Sequence, residues 1–164
     1  MSNTAEVNTK AVTNRRKVSY QSYDDLLADA ENLAGGEVTM LGNWTLAQVI
    51  DHLGRSLNAS IDGIGFKLPW PMRVFGTLFF KQKMLNVEVP SGFKIGKSGK
   101  AKFYPHEDVE IDGSIDRLRQ AIERCKTERT RSLHPLFGEL GADDWDKFSL
   151  RHAEMHMSFA VPVS

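Results

Sequence analysis

Four segments in which apolar residues recur every three or four positions constrain this fold most strongly. They cover residues 22–34, 45–62, 114–131 and 143–159. Ser22 and Thr45 are predicted N-caps, and Thr45 with Gln48 has the spacing of a capping box. The last helix is predicted to begin after Gly141, with Asp143 as its cap. Amphipathic helices of this length predict an all-α protein in which four apolar stripes face one shared core.

About fifty residues, 63–111, separate the second and third predicted helices. A structureless connection of this length is uncommon inside a compact domain, so part of it should fold. We expect a short helix beginning after Pro71 and a loop rich in glycine and lysine over 91–102. The long crossing connection lets the second and third helices run parallel. The predicted fold is therefore a four-helix bundle of up-down-down-up topology, with a partly helical insertion at 63–111.

A chain of 164 residues suits a single domain, which we place at 18–164, with residues 1–17 as a frayed polar tail. Its 21 basic and 21 acidic residues balance, which gives no support to non-specific nucleic-acid binding. The tail lacks the apolar run of a signal peptide, and charged residues and prolines interrupt the most apolar stretch, 61–85. We therefore expect a cytoplasmic protein with neither a nucleic-acid nor a membrane partner.

Two histidines one helical turn apart, His152 and His156, lie on the predicted buried face of the last helix. Their imidazoles can converge on one metal ion, and His52 on the second helix is a third candidate ligand. Three histidines with an open fourth position would form a site of the catalytic type. On spacing alone, the alternative of core histidines hydrogen-bonded to neighbouring helices stays open. The HExxH motif of zinc proteases does not fit, because Glu154 comes one residue too late and points away from both histidines.

Several other residues have a structural interpretation beside a functional one. Cys125 lies on the apolar stripe of the third helix and is expected to be a core thiol rather than a nucleophile. His134 precedes Pro135, which favours a turn after the third helix. The alternative is that His134 or Phe137 lines a cleft at the metal end of the bundle. His106 is expected in a solvated loop, as are the lysines at 94, 97, 100 and 102.

The segment from Gly42 to Leu53, GNWTLAQVIDHL, resembles the second-helix motif of the DinB-like (YfiT-like) superfamily, whose members are regarded as metalloenzymes. In that motif a tryptophan and a Ser or Thr open the helix, and a histidine about two turns later is a metal ligand. Ser149 to Phe159 is similar to the superfamily's last helix, which carries two ligand histidines at i and i+4. By this resemblance His52, His152 and His156 take the three ligand roles.

Within that superfamily the chain most resembles a bacterial branch of unknown function. The motif HPLFG at 134–138 and the Asp-Trp pair at 144–145 recur in that branch. One position departs from the superfamily pattern, because relatives often carry a further histidine immediately before the last ligand. Here that position is Met155, so a proton-shuttling role there is absent.

The resemblance implies an enzyme in which a divalent metal, zinc or nickel, activates water or a low-molecular-weight thiol. The reaction would be a transfer or a hydrolysis on a small-molecule substrate. Of these, thiol transfer is the favoured reaction, because superfamily members include thiol-dependent transferases and isomerases. A function of another class also fits: a non-catalytic bundle that binds a hydrophobic ligand or a partner chain. The apolar insertion favours this second hypothesis. Trp70, Phe75, Leu78, Phe79 and Phe80 would form a lid over the bundle or the face of a homodimer.

Overall fold

The computed structural model describes residues 6–65, 69–87, 89–92, 104–106 and 108–163, and over these residues the fold is mostly helical. The α-helices are α1 (Tyr23–Ala34), α2 (Leu46–Asp62), α3 (Trp70–Phe79), α4 (Lys81–Asn86), α5 (Ile111–Thr127) and α6 (Ala142–Met157). Two short strands, β1 (Val38–Met40) and β2 (Ala160–Pro162), pair antiparallel. The predicted all-α class is confirmed, and the small sheet is an addition that the sequence did not predict. Within the described ranges, no helix combines the length and the apolar character that crossing a membrane requires.

The first two helices each begin at a reciprocal pair of side-chain hydrogen bonds. The Ser22 hydroxyl accepts from the backbone N–H of Asp25, whose carboxylate in turn accepts from the N–H of Ser22. Thr45 and Gln48 make the same reciprocal pair at the start of α2. These pairs satisfy backbone donors that the first turn of a helix leaves without partners. Both predicted helix starts are therefore confirmed.

The predicted third helix, 114–131, is wrong at both ends, because α5 runs from Ile111 to Thr127. Ser114 does not begin the helix; its hydroxyl donates to the carbonyl of Glu110, one turn earlier. Beyond the last turn, the Arg131 side chain donates to the carbonyl of Cys125 and satisfies an acceptor that the helix end leaves unpaired. Apolar periodicity gives the buried face of a helix but not these local hydrogen bonds at its ends.

The predicted start of α6 after Gly141 is confirmed, but its predicted cap is wrong. The helix follows Gly141, and no side chain caps it. Asp143, the predicted cap, lies inside the first turn, where its carboxylate forms an ion pair with Arg129. Asp143 and Asp144 still stabilise this end, since the first turn of a helix carries a partial positive charge.

The described part of the connection between α2 and α5 contains two helices, as the partial folding predicted for 63–111 requires. α3 begins at Trp70, with Pro71 in its first turn, where a missing backbone N–H costs nothing. α4 follows directly after Phe80. Residues 91–92 form a turn. The rest of the predicted glycine- and lysine-rich loop, with the lysines at 94, 97, 100 and 102, lies outside the described residues.

Side chains of α1, α2, α5 and α6 meet in one main hydrophobic cluster. α2 and α5 approach closely because Gly54 has no Cβ; a methyl group there would stand 3.1 Å from the backbone of α5. An ion pair joins Asp51 to Arg117, and a hydrogen bond joins Asn58 to Arg124 further along both helices. Because the partners advance along the two helices in the same direction, α2 and α5 are parallel, as the long crossover predicts.

The segment before α1 packs on the domain, so the predicted frayed tail of 1–17 is wrong for residues 6–17; residues 1–5 lie outside the described chain. The backbone of Val7 exchanges two hydrogen bonds with the Asn43 side chain. Arg16 donates two hydrogen bonds to the carboxylate of Asp29, which also accepts from the Tyr20 hydroxyl. Burial by itself would raise the pKa of Asp29, but these hydrogen bonds outweigh it and hold that pKa below its usual value. Such contacts between distant positions leave no local pattern in a polar sequence.

Candidate metal centre

Three histidine side chains from two helices converge at one point. His52 lies in the second turn of α2, and His152 and His156 lie one turn apart on α6. Nε2 of His152 is 3.4 Å from Nε2 of His52 and 3.1 Å from Nε2 of His156. One ring nitrogen from each residue lies within 4.8 Å of the other two. The structure therefore brings together the three residues that the sequence predicts as metal ligands.

The spacing of these nitrogens matches that of ligands on a single metal ion. Imidazole nitrogens bind zinc at about 2.0–2.1 Å, and a tetrahedral angle then places two of them about 3.3 Å apart. The observed 3.1 and 3.4 Å lie on either side of that separation. A single hydrogen bond would satisfy only one of the two close contacts at Nε2 of His152, because a neutral imidazole nitrogen is either a donor or an acceptor. A shared cation would satisfy both contacts.

Burial keeps the histidines of α6 in the neutral form. It lowers the pKa of His152 to about 3, with smaller contributions from His52 and His134. Burial also holds the pKa of His156 well below its ordinary value, and His52 and His152 act in the same direction. Near pH 7 these imidazoles are therefore neutral, which is the form that coordinates a metal without first releasing a proton.

Aromatic side chains form the walls around the three imidazoles. The Trp44 indole stacks on His156 with ring centres 5.3 Å apart and packs on His52 at 5.0 Å. Phe148, one turn before His152 on α6, stacks on that ring at 6.1 Å. These contacts restrict the rotation of the imidazoles. Trp44 appears in the sequence only as part of a helix-opening motif and Phe148 only as a stripe residue, so neither was predicted as a wall of the site.

His52 is deeply buried, and only 3 % of its surface is exposed. The Trp44 ring and the two histidines of α6 cover the side of α2 on which His52 lies. The apolar stripe in the sequence of one helix does not show which of its other residues a neighbouring helix will cover.

The acidic residues near the three histidines in the sequence bind partners elsewhere. Asp51 accepts from an arginine of α5 at 2.6 Å, and Asp144 pairs with a lysine of α4 at 3.0 Å. Glu154 accepts a hydrogen bond from the backbone N–H of Tyr20, in the segment before α1. That position agrees with the expectation that Glu154 points away from the histidines, unlike the glutamate of a zinc protease.

His134 and Phe137 lie in a tight turn, which confirms the turn that Pro135 predicts. Two backbone hydrogen bonds between His134 and Gly138 close it, and Gly138 has a positive φ of 70° that favours glycine. Nδ1 of His134 accepts from the N–H groups of Leu136 and Phe137 at 3.2 and 3.1 Å. The ring proton is therefore on Nε2, and burial lowers the pKa of His134 to about 3.

This turn lies beside the three-histidine cluster. The His134 ring packs edge-on against Phe148 at 4.9 Å, and Phe148 also stacks on His152. Phe137 lines a shallow groove together with Arg73 and Leu78 of α3. The cleft that Phe137 lines is thus the groove along α3, and one aromatic side chain, Phe148, contacts both His134 and a candidate metal ligand.

Two other candidates have structural roles. Cys125 is fully buried in the main cluster, as predicted for a core thiol, and burial raises the pKa of its thiol. His106 is exposed, as predicted, and its backbone carbonyl accepts from the side chain of Gln48. Neither residue joins the three-histidine cluster.

These observations define a mostly helical protein in which three histidines from two helices form one cluster of candidate metal ligands. The sequence model of the family described as "Protein of unknown function (DUF1569)" matches residues 12–163. The chain therefore belongs to the DUF1569 family. No curated protein and no solved structure matches it.

Proposed function

We propose that the protein is a metal-dependent enzyme in which His52, His152 and His156 hold a divalent ion, zinc or nickel. The observation that carries the proposal is the convergence of three Nε2 atoms, with separations of 3.1 and 3.4 Å, from helices far apart in the sequence. Neutral imidazoles are ligands that both metals accept. Three protein ligands leave at least one position for a small molecule, as in catalytic rather than structural sites.

The fold supports a further part of the proposal, that α1, α2, α5 and α6 form an up-down-down-up bundle of the DinB-like (YfiT-like) superfamily. The parallel pair α2 and α5 fits this topology. Ion pairs from Asp24 to Lys126 and from Glu31 to Arg119 fit an antiparallel pair of α1 and α5. One candidate ligand on the second bundle helix and two on the last also fit the ligand set that the resemblance implies.

In this proposal, a divalent metal would supply Lewis-acid activation of a water or a small thiol. The chain's own residues keep two of the ligands neutral by burial and hold the imidazoles between Trp44 and Phe148. The same aromatic rings provide an apolar surface against which a small organic substrate would lie, and they exclude water from the sides of the site.

Any thiol that reacts has to come from a separate small molecule. Cys125 is the only cysteine of the chain, and it is fully buried with a raised thiol pKa. A low-molecular-weight thiol is therefore the cosubstrate in the proposed transfer reaction. The metal-loaded protein should consume a small electrophile faster with such a thiol than without it. Thiol-independent turnover would point to hydrolysis, and no turnover under either condition would contradict an enzyme.

The metal site itself is tested by elemental mass spectrometry of the purified protein after reconstitution with zinc or nickel. We expect about one metal per chain in the wild type, and its loss in His52→Ala and in His156→Ala. His106→Ala is the matched control, because it removes an exposed histidine outside the cluster and should retain the metal. A wild type without metal, or metal retained in both ligand variants, would contradict the proposal.

The alternative function, a non-catalytic module that binds a hydrophobic ligand, is favoured by one observation. The groove between α3 and the turn at 137–138 is lined mainly by apolar side chains, with a single charged residue, Arg73. Ligand binding that needs no metal and persists in His156→Ala would support this function over the enzyme.

A further inference from the structure

The helix α3 packs on the domain at Gly76, the one residue of this helix that is buried. Gly76 lies on Leu136, so closely that a Cβ would stand 2.6 Å from a methyl carbon of that side chain. The Thr77 hydroxyl, which donates to the carbonyl of Arg73 at 2.8 Å, lies 3.3 Å from the carbonyl of Phe137 in the same turn as Leu136. An ordinary surface helix buries its apolar residues. Most apolar residues of α3 are instead exposed, so much of their surface adds little to the stability of the single chain.

The opposite side of α3 is an exposed apolar face that spans about 200° of the helix circumference. We call it the α3 face; its members are Trp70, Met72, Val74, Phe75, Leu78 and Phe79, with exposed fractions between 48 and 73 %. With aromatic side chains of about 150–250 Å² each, these six residues expose on the order of 800 Å². The largest apolar patch on a typical monomer is roughly 300–600 Å². The α3 face is thus larger than a chain normally leaves open to water.

We compare three roles for the α3 face: a lid over the site, a membrane-binding surface and an interface with a protein partner. The first two agree poorly with the structure. A lid would turn its apolar residues towards the three histidines, whereas Trp70, Val74 and Leu78 line the groove beside the turn at 137–138. A membrane-surface helix surrounds its apolar face with lysine and arginine, whereas α3 itself carries a single basic residue, Arg73, which lies against Gly138. A protein partner fits best, because no member of the face is charged and aromatic residues and methionine are enriched in interface cores.

We propose that the occupant is a second copy of this chain, so that the protein is a dimer joined α3 to α3 about a two-fold axis. The area supports this choice, since a stable interface buries about 800 Å² on each partner. A two-fold axis places the same face on both sides, and each copy then covers the aromatic residues of the other. The proposal does not depend on the metal site.

Sedimentation velocity between roughly 1 and 100 μM protein tests the proposal. The wild type should sediment at twice the chain mass of 18.4 kDa. Val74→Glu and Leu78→Glu should shift the protein to monomer, with the dimer weakened roughly 100-fold or more, because an unpaired carboxylate would be buried in the interface. Val163→Glu is the matched control. Val163 is 49 % exposed and Val74 48 %, but Val163 lies beside the small sheet, so this variant should remain dimeric.

Circular dichroism of each variant shows whether the fold is retained, which is expected because glutamate is a good helix former at an exposed position. A wild type that stays monomeric over the whole range would overturn the proposal. So would a dimer that both α3 variants leave intact, since the interface would then lie elsewhere. A monomer that binds vesicles containing anionic lipid, and loses this binding in Leu78→Glu, would assign the α3 face to a membrane surface instead.

Discussion

Replacing Gly54 by alanine tests the close approach of α2 and α5, which determines where His52 stands. A Cβ at position 54 would lie 3.1 Å from the backbone N of Leu118 and 3.3 Å from the backbone carbonyl carbon of Arg117. Both distances are shorter than the roughly 3.5–4.0 Å at which such atoms attract each other. The neighbouring atoms belong to a helix backbone, which cannot rotate away as a side chain can. The two helices would have to move apart.

Two opposing contributions set the size of the effect. Alanine is favoured over glycine inside a helix by about 1 kcal/mol, whereas overpacking a core typically costs about 1–3 kcal/mol. We expect Gly54→Ala to lower the free energy of unfolding by about 1 kcal/mol. Gly113 in the first turn of α5 is the matched control, because a Cβ there would meet nothing within 4 Å. The same substitution should stabilise the protein at that position by up to about 1 kcal/mol.

Urea unfolding followed by circular dichroism measures both changes, with a chelator present so that bound metal does not add to stability. The midpoint should fall for Gly54→Ala and rise for Gly113→Ala, at an unchanged slope. We also expect weaker zinc binding in Gly54→Ala, since a displaced α2 moves His52 away from the histidines of α6. If both variants were stabilised equally, the inferred contact between α2 and α5 would be refuted.

Three further predictions concern the metal centre, the segment before α1 and the thiol. Zinc at a hundred times its Kd should stabilise the wild type and His106→Ala by about 2.7 kcal/mol, a rise of roughly 5–10 °C in Tm, and should leave the Tm of His152→Ala unchanged. Asp29→Asn should lower the free energy of unfolding by about 1.5–3 kcal/mol at pH 7, because it removes the hydrogen-bonded ion pair with Arg16. The pKa of Asp29 in the folded protein is below its unfolded value of about 3.9, so the stability that the ionised carboxylate contributes is present above this pH and is lost in acid. The free energies of unfolding of the wild type and Asp29→Asn, measured by denaturant titration, should therefore converge at acidic pH. Cys125 should not react with a thiol reagent until the protein is unfolded; rapid labelling of the native protein would contradict its burial.

Local hydrogen-bonding chemistry made the starts of α1 and α2 predictable. Ser22 and Thr45 with their partners three residues later form reciprocal bonds that need no other part of the chain. The ends of α5 and the cap of α6 were missed because Arg131 reaches back to a helix carbonyl and Asp143 pairs with Arg129 instead of capping. The ordered segment at 6–17 was missed for a similar reason, since its partners, such as Asp29 and Asn43, lie in other parts of the fold.

The helical class, the buried faces of the main helices and the pairing of His152 with His156 follow from the 3.6-residue period, which puts residues four apart on one face. That period is a local property and is therefore visible in the sequence, whereas His52 was added as a histidine of another helix, within a motif that resembles a known one. The distance of 3.4 Å between His52 and His152, the enclosure by Trp44 and Phe148 and the exposed apolar face of α3 arise only in the folded chain. These arrangements depend on how helices far apart in the chain pack together, and a periodicity confined to one helix carries no information about its neighbour.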